Sequence, residues 1–142
     1  MKVIFIRHGD PDYINDTLTE KGRREAALLS DRVSRWDVKQ FYCSPLGRAR
    51  DTAEYSMQKM NRTPIIYDWL KEFYYPITDP LTGKNRIAWD FMPEYWTEQP
   101  ELYDKDQWIA SPVMKTGEEL QKAYREVCSG IDDILAVHGY AF

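Results

Sequence analysis

His8 stands between Arg7 and Gly9, directly after the apolar run Val3-Ile4-Phe5-Ile6, and Arg48 follows Ser44-Pro45 after a second apolar run. These residue types suit phosphoryl transfer through a covalent protein intermediate. That chemistry needs a nucleophile, cations for the equatorial oxygens and a proton donor for the leaving oxygen. A histidine ring serves as the nucleophile when a carbonyl or carboxylate holds it neutral and oriented. Arg7 and Arg48 would form the clamp, since a planar guanidinium fork matches the anion better than an ammonium group does. Each residue also has a plainer reading: a lone histidine after a strand is commonly structural, and Arg48 or Arg50 would serve equally as solvated helix charges. The coincidence of Arg7, His8 and Gly9 with the turn from Ser44 to Arg48 favours the chemical reading.

Such residues need elements to position them. Val3 to Ile6 is short and rich in β-formers, so it predicts a strand buried on both faces. Its C-terminal end would deliver Arg7 and His8 to the edge where open parallel sheets bind ligands. Thr19 is placed to cap a helix over about 20–34, with Leu18 at the staple position and Ala26, Leu29 and Val33 on the apolar face. Residues 38–43 predict a second strand ended by Ser44-Pro45, and residues 46–60 a helix. Arginines at that helix start, together with its orphan backbone N–H groups, would attract an anion and make the second half of a phosphate site. Residues 64–67 predict a third, shorter strand.

Between Phe73 and Pro112 the periodicity weakens under repeated prolines, while Tyr74, Tyr75, Trp89, Phe91, Tyr95, Trp96, Tyr103 and Trp108 accumulate. A connection of this length predicts an aromatic, proline-rich insertion or lid over 73–112 rather than a bare loop. Its aromatics would either pack a core of their own or line a pocket. Thr116 with Glu119 suggests a capping box for a last helix. Apolar spacing from Leu120 through Leu135 carries that helix to Val137 or His138, with Gly139 as its C-cap.

The 142 residues suffice for one domain, and a chain of this length hides roughly 68% of its unfolded surface. A formal charge of -4 opposes a broad nucleic-acid footprint. It leaves room for a locally positive pocket holding a small phosphorylated metabolite or inorganic phosphate. No apolar run approaches the 18 to 20 residues of a membrane span. Strand-like residues at Val3 in place of a signal peptide favour the cytoplasm, and Cys43 and Cys128 are either a pair or two free thiols.

Read together, Arg7-His8-Gly9, Leu18-Thr19-x-x-Gly22, Ser44-Pro45-Leu46-x-Arg48-Ala49-x-x-Thr52-Ala53, Leu70-x-Glu72 and Thr116-Gly117-Glu118 resemble the histidine phosphatase superfamily, in the family's order over nearly the whole chain. The resemblance implies a three-layer α/β/α, phosphoglycerate-mutase-like fold with a central, mostly parallel sheet. It also implies metal-independent chemistry without a cofactor. Under it His8 is phosphorylated in turnover, Arg7 and Arg48 bind the phosphoryl group, and Glu72 falls where many members keep the proton-donating carboxylate. Glu72 otherwise reads as a surface carboxylate. Asp10 stands where many relatives have Glu.

Family members also carry a second catalytic histidine, on an apolar strand. His138-Gly139 is the only candidate here, and it is rejected: helical spacing runs unbroken to Leu135, Asp132-Asp133 would interrupt a buried strand, and His138 lies only 21 residues past Gly117. The expectation is therefore a C-terminally incomplete domain, 1–142, impaired if the chain ends at Phe142, with an exposed sheet edge through which it could form oligomers. The leading function is phosphomonoester hydrolysis through a phosphohistidine on His8. The alternatives are phosphoglycerate-mutase-type transfer and a non-catalytic phosphate-binding or interaction module. A cysteine phosphatase is excluded because its nucleophile-to-arginine spacing, counted from Cys43, reaches Ala49. A P-loop enzyme lacks its glycine-rich lysine motif, and a zinc enzyme lacks ligand spacing.

Overall fold

A computed structural model describes residues 2–140, which fall into two compact units, Met1–Lys71 and Glu72–Phe142. In the first unit a hairpin of β1 (Pro11–Asp12) and β2 (Thr17–Leu18) leads into α1 (Glu20–Val33). The Thr19 hydroxyl accepts from the Gly22 N–H, as the sequence predicts for an N-cap, and Leu18, Ala26 and Val33 are buried. Next come β3 (Tyr42–Cys43), α2 (Gly47–Met60) and β4 (Ile65–Ile66), with β3 and β4 paired in parallel. Helices α1 and α2 pack on each other, and several of their buried residues are small. Ala26 and Ser30 of α1 and Thr52 and Ser56 of α2 are all buried, and small side chains at a contact shorten the interaxial distance.

Residues 3–6 depart from the predicted buried strand. They join no β-ladder among the described residues. Val3, Ile4, Phe5 and Ile6 remain 54%, 44%, 78% and 48% exposed. The physical reason is that β-propensity measures fit to a pleated, half-buried surface rather than a free-standing backbone preference. Among the described residues no strand pairs with the segment, so these side chains stay only partly covered. Arg7 and His8 are therefore delivered by an unpaired segment rather than by a strand end.

In the second unit β5 (Ile77–Thr78) and β6 (Asn85–Arg86) form an antiparallel hairpin, followed by the short α3 (Pro93–Thr97), several 3-10 turns and α4 (Leu120–Val137). Ile77, Phe91, Val113, Met114 and Leu120 make a core, with Tyr95, Trp96 and Trp108 packed around it. Phe91 stacks on Trp96 at 5.4 Å and meets Tyr95 edge-on at 5.9 Å. Of the two readings of the aromatic stretch, self-packing describes these residues.

The capping box expected at Thr116 does not form. Thr116 Oγ1 instead accepts from the Thr78 N–H at 2.8 Å and donates to the Val113 carbonyl at 2.7 Å, so it ties the hairpin to the preceding turn. Glu119 is the N-cap residue of α4. At the other end His138 is the C-cap and Gly139 has φ +85°. Tyr140 N–H donates to the Leu135 carbonyl and Gly139 N–H to that of Ala136, a Schellman closure. His138 thus lies on a helix terminus, not a strand. The expected missing strand would follow Phe142 and so lies, like Ala141 and Phe142, outside the described residues.

Candidate active site

The His8 ring is oriented by its own backbone: Nδ1 lies 2.8 Å from the Gly9 carbonyl oxygen. A carbonyl only accepts, so Nδ1 donates to it, and Nε2 is the ring nitrogen not engaged by that contact. Orientation by a carbonyl is one part of what a nucleophilic imidazole needs. Gly9 N–H donates to Thr52 Oγ1 at 3.0 Å, and that hydroxyl donates to the Arg48 carbonyl at 2.8 Å. The segment carrying His8 is thereby fastened to the first turns of α2. A close backbone crossing adds to the fastening. A Cβ on Gly22 would lie 2.2 Å from the Asp10 carbonyl oxygen, so α1 approaches the residues after His8 only because that position is glycine.

Arg48 is brought to the same neighbourhood. Both groups contact Tyr13: its ring meets the His8 ring edge-on at 6.2 Å, and the Arg48 guanidinium carbon sits 5.3 Å from its centroid. The Arg48 side chain is 10% exposed, and its Nη1 donates to Asp16 Oδ1 at 2.7 Å. Arg7 is exposed and makes no ion pair among the described residues. Glu72 is exposed at the start of the second unit, where its carbonyl accepts from the Tyr74 N–H.

Asp16, Tyr13 and Thr52 escaped the sequence reading as site residues. The Asp16 carboxylate occupies the start of α2, accepting from the Gly47 N–H at 2.6 Å as well as from Arg48. The orphan N–H groups predicted to attract an anion are thus met by an anion from the chain itself. The Gly47 hydrogen bond holds the Asp16 carboxyl below the usual carboxylate range, with Arg48 adding to it and burial opposing. Asp16 has φ +47°, in the left-handed region that aspartate tolerates better than most residues. One signal for its role was in the sequence: the residue before α2 is Leu46, which has no side chain able to cap.

Cys43, the nucleophile of the rejected cysteine reading, is a buried free thiol whose pKa is pushed up by that burial, with Arg50 opposing. A raised thiol pKa keeps it protonated and unreactive.

Residues 3–141 match the histidine phosphatase superfamily (branch 1). The chain is 34% identical over 97 residues to a protein of Schizosaccharomyces pombe named as a probable phosphatase, spanning 61% of this chain and 45% of that protein. It is 40% identical over 76 residues to the 2,3-bisphosphoglycerate-dependent phosphoglycerate mutase of Thermoplasma acidophilum, spanning 46% of this chain and 38% of the mutase. Phosphoserine phosphatase 1 of Hydrogenobacter thermophilus is 25% identical over 150 aligned residues, spanning 97% of this chain and 66% of that enzyme. The chain therefore spans less than half the length of the first two relatives. With Arg7-His8-Gly9 and the turn from Ser44 to Arg48 lying within the matched residues, the chain belongs to the histidine phosphatase superfamily, branch 1, and has its α/β, phosphoglycerate-mutase-like fold.

Proposed function

We propose that this chain carries the phosphoryl-accepting residues of a phosphomonoester hydrolase. In the first step His8 Nε2 forms a bond to phosphorus, the P–O bond to the leaving alcohol breaks, and Glu72 gives that oxygen its proton. In the second, water deprotonated by Glu72 attacks phosphorus, the P–N bond breaks and inorganic phosphate leaves. Arg7 and Arg48 hold the equatorial oxygens through both steps. The observation that carries this reading is that a carbonyl-oriented imidazole and a largely buried guanidinium both contact the Tyr13 ring. The substrate is a small phosphorylated metabolite, and residues 73–112 act as the lid that selects it.

The second imidazole expected of the family is not supplied on a strand among the described residues, since His138 caps α4. His8 phosphorylation, which needs only the first step, is therefore the step to measure. Exposure to phosphoramidate followed by mass analysis is expected to show an acid-labile +80 Da adduct (one HPO3 group) that disappears in His8→Ala. Phosphate binding without an adduct would replace the hydrolase with a non-catalytic phosphate-binding module. Mutase-type transfer shares the first step. The likeness to the Thermoplasma mutase supports keeping it as the second reading, tested by whether labelled His8 passes its group to an added alcohol faster than to water.

Among the described residues no helix is long and apolar enough to cross a membrane. Separately, Cys43 and Cys128 are both free thiols, which supports a reducing, cytoplasmic setting. The uncovered run Val3–Ile6 supports self-association with a second copy through that segment.

A further inference from the structure

The start of α2 is capped from 31 positions away in sequence. Its local N-cap residue, Leu46, makes no side-chain cap, yet Asp16 Oδ2 accepts from Gly47 N–H at 2.6 Å while Oδ1 accepts from Arg48 Nη1 at 2.7 Å. One carboxylate therefore fixes both the first backbone donor of the helix and the guanidinium one residue further on. The backbone is as tightly fitted as the side chain, because a Cβ on Gly47 would lie 2.0 Å from the Asp16 carbonyl oxygen. Asp16 also closes the turn between β1 and β2, whose other end is held by Asp12 accepting from the N–H groups of Ile14 and Asn15. That turn carries Tyr13, against which the His8 ring and Arg48 are both placed.

We propose that Asp16 is a positioning residue for phosphate recognition: it locks Arg48 and the α2 start to the turn bearing Tyr13, so that the guanidinium is set toward the His8 side before any anion arrives. This rests on Arg48 and His8 serving one phosphoryl group, as proposed above. The physical logic is pre-organisation. An arginine has many rotamers, and immobilising such a side chain on binding costs free energy unless it is already held. A guanidinium has five N–H donors in a fixed fork, so contact with one carboxylate oxygen orients the rest of the fork. The same carboxylate, if it only competed for the anion, would have the opposite effect on affinity, which makes the two roles separable.

The test is a double-mutant cycle on inorganic phosphate affinity, followed by 31P NMR, with far-UV circular dichroism as a check on folding. Asp16→Ala is expected to weaken phosphate binding about tenfold, the loss of one charge-assisted contact. Asp16→Asn keeps an oxygen for the Gly47 N–H and is expected to lose about threefold, which keeps the test open if the alanine variant does not fold. In an Arg48→Ala background the Asp16 changes are expected to add nothing, because the side chain they position is gone. A purely structural carboxylate would instead lower stability by the same amount in both backgrounds and leave phosphate affinity of the folded protein unmoved. Unchanged or tighter binding in the Asp16 variants, or an undiminished loss in the Arg48→Ala background, overturns the positioning role alone. Absence of phosphate binding and of His8 labelling in the wild type overturns the parent reading, and this one with it.

Discussion

Gly9 and Thr52, 43 positions apart in sequence, are joined by a 3.0 Å hydrogen bond from the glycine N–H to the threonine hydroxyl. Because the hydroxyl also donates to the Arg48 carbonyl, one buried oxygen connects the residue after His8 to the helix bearing Arg48. Thr52→Val keeps the shape and removes the oxygen. It leaves the Gly9 N–H unsatisfied in a part-buried place, which costs about 1–3 kcal/mol. Urea unfolding should show a lowered midpoint with unchanged slope, and labelling of His8 by phosphoramidate should slow. An unchanged midpoint would mean that solvent replaces the hydroxyl without loss.

Gly22→Ala pits two effects against each other. In a helix interior alanine is favoured over glycine by about 0.8–1.0 kcal/mol. The new methyl would, however, lie 2.2 Å from the Asp10 carbonyl oxygen and 2.9 Å from its nitrogen, both backbone atoms that cannot rotate away. Overpacking of this kind costs about 1–3 kcal/mol or more, so the clash wins and thermal unfolding moves to lower temperature. A rise in the midpoint would show that the loop after His8 yields easily.

Much of the first unit was legible because its signals are local. Thr19 three residues before Gly22, and the spacing of Ala26 and Val33, specify α1 without reference to anything distant, and Gly139 ends α4 in the same way. The site was half legible. His8 and Arg48 stand out by type and setting, whereas Asp16 acts across 31 positions and Tyr13 acts through a ring face shared by two partners. Neither has a spacing to betray it. Val3–Ile6 misled for the complementary reason: composition records what a segment would favour in a sheet, and among the described residues no paired neighbour realises it.

Acid should expose the Asp16 contacts. Its folded-state pKa is depressed, first by the Gly47 N–H and then by Arg48. A depressed carboxylate stabilises the fold fully above its unfolded value of about 3.9, and that contribution fades as pH falls through the lower folded value. Asp10, depressed chiefly by the Thr19 hydroxyl, follows the same sign. Wild-type stability should therefore drop, as pH falls below about 4, more steeply than that of Asp16→Asn, which lacks the titrating group. Parallel curves for the two proteins would remove Asp16 from the acid response.

Phe5 is 78% exposed and stands among three other apolar residues, each at least 44% exposed. A run of this kind, unpaired in the fold, offers both apolar surface and backbone donors to a second copy of itself. The protein should therefore associate as its concentration rises, visible as an increase in weight-average mass by light scattering. Phe5→Glu places a charge on the run and should restore the monomer. Ile4→Pro separates the two contributions: it removes one N–H donor while leaving Phe5 in place, so a monomer in both variants points to strand pairing. A monomer only with Phe5→Glu points to side-chain clustering instead. Wild-type protein that stays monomeric at every concentration tested removes this segment as an interface.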